Sequence, residues 1–140
     1  MFLIFMTLSL IHFYWAFGGN RGLDVAVPNH TEGGKLFNPG FLSTIFVALG
    51  LSGFALFILI KIDLLVISMP IWIMKYGLKG IALLFILRAI GDFKYVGFFA
   101  GIRLRKQPFI SSGFERMDKK YYSPLCFLIG VLAILIQSLQ

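Results

Sequence analysis

FLSTIFVALGLSGFALFILI, Phe41–Ile60, is an unbroken apolar run with no charged residue. As a helix rising 1.5 Å per residue it covers about 30 Å, the hydrocarbon thickness of a bilayer. Its length and lack of charge mark a membrane span. Within it, Ala48, Ser52 and Ala55 fall on one helical face. Small residues there let a second helix approach closely.

Composition extends this reading to the whole chain. The apolar residues make up 59% of the 140 and the charged residues 14%. Soluble domains average roughly 45–50% apolar with glycine included and roughly 25% charged. A chain of this length has too little interior to hide so much apolar surface, so lipid is the expected solvent. The net charge is +7. The basic residues crowd against hydrophobic segments, which favours anionic lipid headgroups and argues against nucleic acid. Cys126 is the only cysteine. It excludes an internal disulfide, a cysteine-based zinc site and a CxxC redox pair.

Outward from Phe41–Ile60, three further helices are expected. The first covers Met1–Phe17, which lacks a basic n-region and a small-x-small cleavage site and so reads as a retained helix. The third runs from about Ile71 to Tyr95, with Pro70 suited to a helix start. The fourth runs from about Tyr122 to Leu139, with Pro124 in its first turn. Loops are expected at about 18–40, rich in turn residues, and at about 97–121, which is strongly basic. The expected fold is therefore one all-α, integral membrane domain, a bundle of four transmembrane helices.

Lysine and arginine placement sets the orientation. Lys94, Arg103, Arg105, Lys106, Arg116, Lys119 and Lys120 are seven of the thirteen basic residues. Placing the 94–120 loop in the cytoplasm puts Arg21 and Lys35 on the same side and both termini outside. Lys61, Lys75 and Lys79 fall on the other side.

One polar stripe needs a partner. In LRAIGDFKYVGF, Leu87–Phe98, Arg88 lies six residues before Lys94, about 9 Å deeper in the helix. Asp92 at i+4 and Tyr95 at i+7 share its face. This stripe is expected to face protein, with Leu83, Phe85 and Ile86 pointing elsewhere. By topology, His12 with Trp15 near its face and Tyr122 at the start of the fourth helix lie at the same depth. The candidate ligand-binding residues are thus His12, Trp15, Arg88, Asp92, Tyr95 and Tyr122. Arg88 suits a carboxylate or phosphate, and His12 suits a proton near neutral pH. The same groups also serve the fold alone if they only complete one another's hydrogen bonds.

No catalytic residue is named by a motif. GxSxG, HExxH and paired carboxylates are missing, GGKL at Gly33–Leu36 is no phosphate loop, and His30 and Glu32 lack metal-ligand spacing. No metal and no cofactor is expected.

HFYWAFGG (His12–Gly19), Pro70-x-Trp72, LRAIGDFKYVGFF (Leu87–Phe99) and YYSPLC (Tyr121–Cys126) together resemble one bacterial family of small four-helix membrane proteins, domain of unknown function 3995. The resemblance covers nearly the whole chain. It implies a stand-alone, multi-pass protein of the bacterial cytoplasmic membrane with no assigned activity. In that family a threonine typically precedes an F-x-x-x-D stretch of the last loop. Here Ser112 and Gly113 precede Phe114, Asp118 follows, and Lys119 stands where a threonine is usual.

Three readings of function follow. The leading one is a non-enzymatic membrane protein that binds or moves a small anionic or amphiphilic molecule at the polar cluster. Four helices are few for an inverted-repeat transporter, so this reading points to a homodimer. The second is a membrane enzyme acting on a lipid-soluble substrate. The third is a structural or regulatory subunit.

Overall fold

The fold is taken from a computed structural model of the chain. It describes residues 1–27, 29–30, 34–35, 40–95 and 112–139, with the backbone alone at 29–30, 34–35, 91–95, 112 and 115. The chain forms two compact units, Met1–Asn20 with Pro39–Leu78 and Arg21–Asn38 with Lys79–Gln140.

In the first unit, α1 (Phe2–Ala16) packs along α3 (Phe41–Lys61). Phe5 and Ser9, one turn apart on α1, are fully buried. On α3 the buried stripe is Thr44, Ala48, Leu51, Ala55 and Ile58, at helical spacing. Ser9 Oγ donates to the Ala48 carbonyl at 2.8 Å and lies 2.7 Å from Ser52 Oγ. A hydroxyl has one hydrogen, so Ser52 is the donor in the second bond. The small-residue face of α3 thus receives α1, and a tilted Phe5–Phe54 ring pair at 5.6 Å closes the contact. After α3 the chain turns at Asp63, whose φ is 56°. α4 (Ile71–Tyr95) then begins, and the Pro70 carbonyl accepts from the Ile73 and Met74 amides. A side chain at Gly77 would run into the Phe57 ring.

In the second unit, Gly22 at φ 77° opens the short α2 (Leu23–Ala26). α2 packs on α5 (Ser112–Met117), with Val25 against Gly113. A minimal antiparallel hairpin pairs β1 (Asn29–His30) with β2 (Gly34–Lys35), Asn29 opposite Lys35. α5 continues through a π-helical turn (Asp118–Tyr122) into α6 (Ser123–Ser138). Met117, Tyr122 and Ser123 all keep right-handed helical geometry, so the helix is unbroken across both joins. α6 buries Ser123, Cys126, Ile129, Gly130 and Ala133. At Gly130 a Cβ would lie 2.6 Å from Ile86 Cγ1, so glycine is what lets α4 and α6 approach there.

Two expectations change. The basic loop expected at 97–121 is helical from Ser112 on; residues 97–111 of that expectation lie outside the described residues. The loop expected at 18–40 contains α2 and the hairpin. Four spans were expected; among the described residues, two helices, Phe41–Lys61 and Asp118–Ser138, are long and apolar enough to cross a membrane. α1 is apolar but shorter. α4 is long enough but carries Lys75, Lys79, Arg88 and Asp92.

Candidate functional site

Pro124 creates the site's local geometry. It lies inside a continuous helix, where its nitrogen cannot donate and its ring crowds the carbonyl of Lys120. A wider turn upstream relieves such crowding, and the turn Asp118–Tyr122 is of that kind. In a regular α-helix, residues five apart point about 140° away from each other. The wider turn brings Ser123 round to Asp118, and its Oγ donates to Asp118 Oδ2 at 3.0 Å.

Asp118 and Ser123 are each 1% exposed. Asp118 Oδ1 is also shielded from solvent and, among the described residues, accepts no hydrogen bond. An unmatched buried acceptor costs roughly 1–3 kcal/mol, and more if it is charged. The charges of Arg88 and Lys119 both act on this carboxyl. Half-buried Tyr122 feels the Asp118 charge in turn. Chemically this is an acid held in place by a hydroxyl, within the field of a guanidinium, with one oxygen that accepts no bond from the described residues.

The expected site residues are placed as follows. Arg88 and Tyr122 both act electrostatically on or with Asp118, inside the second unit. Arg88 itself is exposed, which corrects the expectation that its stripe faces protein. Among the described side chains of α4, the buried ones are Leu78, Ile81, Ala82, Phe85 and Ala89. Phe85, expected to point away from protein, is therefore on the packed face, and Arg88 flanks it. The side chains of Asp92 and Tyr95 lie outside the described residues. His12 and Trp15 belong to the first unit. They meet edge to face, with ring centroids 5.1 Å apart, as their i, i+3 spacing allows. His12 Nδ1 is 2.7 Å from the Leu8 carbonyl. A carbonyl only accepts, so Nδ1 carries a proton and Nε2 faces outward from that bond.

Asp118 and its pairing with Ser123 were missed by the sequence reading, which placed Asp118 in a loop, counted Ser123 among the polar groups at the start of the fourth helix and took Pro124 as a helix start. Ser112-x-x-Glu115, the spacing of a helix N-terminal box, followed by eight residues (116–123) free of glycine and proline, was the available signal. Among the described residues, no group of three or more His, Cys, Asp or Glu is placed to hold a metal ion.

No curated protein and no solved structure matches the chain. A family model does, over residues 5–133, under the description "Protein of unknown function (DUF3995)". The chain belongs to that family.

Proposed function

We propose that this chain is a non-enzymatic, multi-pass membrane protein that binds or moves a small anionic or amphiphilic molecule at the polar centre of Asp118 and Arg88. α3 and Asp118–Ser138 span the bilayer in this reading, and α1 and α4 complete four spans. The observation that carries it is the buried acid. Asp118 sits at the head of an apolar helix, with one oxygen unmatched among the described residues and the Arg88 charge acting on it. Ionisable groups in such helices are costly and mark ligand or ion sites by default.

The distribution of apolar side chains supports the membrane part. The apolar windows of the two long helices are only 39% and 28% buried. A core helix of a soluble protein is mostly buried. Phe46, Leu49 and Leu56 on α3, and Phe127, Ile134 and Leu135 on α6, all point outward. Serines, an aspartate, alanines and a glycine are inside. Outward apolar faces of this extent require lipid or a partner. Arg116, Lys119 and Lys120 are exposed on the turns that precede the apolar part of α6, and Lys120 lies 5.1 Å over the Tyr121 ring. They suit anionic headgroups at a cytoplasmic interface. In this proposal Arg88 and Tyr122 make the ligand face, with Asp118 added.

The test is native mass spectrometry of the gently purified protein beside Arg88→Gln. The expected result is a small molecule bound to the wild type and lost from a folded mutant. Equal retention by both proteins would sink the proposal. A bare mass for both, with a less stable mutant, would assign the arginine to the fold.

A further inference from the structure

We infer that the connection from Ile62 to Trp72 is an interfacial loop, whose apolar side chains enter the headgroup–acyl boundary of one phospholipid leaflet. The inference rests on the membrane reading of α3 and adds a second surface by which the first unit meets lipid.

The segment is apolar where a connection between helices is ordinarily polar. Ile62, Leu64, Val66 and Ile67 are all exposed, Val66 at 97%. They lie past the end of α3 and before the start of α4, so the packing of those helices does not account for them. Ile71 and Trp72, which open α4, are exposed as well and extend the same apolar surface. A contiguous apolar surface of this kind marks a contact with lipid or with a partner.

The backbone sets the depth. Asp63 turns the chain at φ 56°, and the amides of Leu64 and Leu65 fold back on the Leu59 carbonyl. Beyond that turn, the amides of Val66, Ser68 and Met69 meet no backbone acceptor among the described residues. Open amides are excluded from lipid-exposed hydrocarbon, because nothing there accepts from them. Water, phosphate and ester oxygens do accept at the headgroup level. Apolar side chains and open amides are thus accommodated together at the boundary, with the backbone among the headgroups and the side chains below.

The flanking residues select lipid over a protein partner. Lys61 closes α3. Lys75 is exposed in the first turns of α4, with its Nζ 5.4 Å from the centre of the Tyr76 ring. Trp72 and Tyr76, both exposed, share a face at i, i+4. Tryptophan, tyrosine and lysine are the residues of the membrane interface, each with an apolar body and a polar end that reaches the headgroups. The core of a protein–protein contact is depleted of lysine.

Tryptophan fluorescence tests the loop. Trp15 and Trp72 are the two tryptophans of the chain, so Trp15→Phe leaves Trp72 as the sole emitter. Val66→Trp and Leu49→Trp, each in a Trp15→Phe/Trp72→Phe background, report on the loop and on the middle of α3. The full chain goes into vesicles of equal parts phosphatidylcholine and phosphatidylglycerol, with bromine placed either near the headgroup or near the chain end of the phosphatidylcholine. Trp72 and the Val66→Trp variant should be quenched most by bromine near the headgroup and little by aqueous acrylamide, as side chains about 5–10 Å into the boundary are. Leu49→Trp should be quenched most by bromine near the chain end. Strong acrylamide quenching at either loop position places it in water, shielding from both quenchers places it against protein, and strongest quenching by chain-end bromine places it in the core. Each of these overturns the loop, and with Leu49→Trp still quenched by bromine the membrane reading stands. A Leu49→Trp variant that no bromolipid quenches overturns the membrane reading and the loop with it.

Discussion

The two oxygens of Asp118 differ in what they demand. Oδ2 has Ser123, so Ser123→Ala leaves the whole carboxyl unmatched inside the second unit. Thermal unfolding in detergent should show a loss of about 1–3 kcal/mol, while Ser123→Thr, which keeps the hydroxyl, should lose clearly less. Indistinguishable Ala and Thr variants would mean the bond contributes nothing. Ser9 gives a second case. Its hydroxyl serves both Ala48 and Ser52, and Ser9→Ala should cost about 0.6–1.7 kcal/mol, the range for such bonds between membrane helices. At this scale, legibility depended on local spacing. The meeting of His12 with Trp15 follows from i, i+3, and the small face of α3 from Ala48, Ser52 and Ala55. The pairing of Asp118 with Ser123 follows an i, i+5 spacing that no regular helix brings together, so the sequence alone hid it.

Proline and glycine decide the elements. Pro124→Ala restores an amide and removes the crowding at Lys120, so the turn Asp118–Tyr122 should tighten to a regular helix. The energetic coupling between Asp118 and Ser123, measured by a double-mutant cycle, should then fall from about 1–3 kcal/mol towards zero. Unchanged coupling would show that the wide turn does not depend on the proline. Gly130→Ala places a methyl 2.6 Å from Ile86 Cγ1 and should cost about 1–3 kcal/mol. Gly50, with open space around it, is the control, and Gly50→Ala should be neutral or stabilising by up to about 1 kcal/mol. The long apolar helix α3 was legible because its ends are marked by Gly40 and Lys61. The start of the last helix was not. Proline suits both a helix start and a relieved helix interior, and only the upstream residues decide between them. Ser112–Met117 is mostly polar, so the sequence reading gave it to the basic loop.

On the scale of the whole molecule, apolar residues lie both inside and outside. Phe5, Phe57, Leu78 and Ile129 are buried together with Ser9, Thr44, Asp118 and Ser123, while many large apolar residues, Phe46, Leu49, Phe127 and Ile134 among them, face out. Composition made this legible, since 59% apolar residues cannot all be inside 140 residues. The number of spans was less legible, because α4 mixes Lys75, Lys79, Arg88 and Asp92 into an otherwise apolar helix. The measurement that tests the central claim is spin-label accessibility in liposomes. Single labels go in a Cys126→Ala background at Phe46, Leu49, Phe127 and Ile134, all outward and apolar, with Arg116 as the exposed basic reference. If the outer faces contact lipid around the polar centre at Asp118, oxygen relaxes the apolar-site labels strongly and a water-soluble nickel chelate does not. Nickel access at those sites equal to that at Arg116 would place them in water and contradict the account.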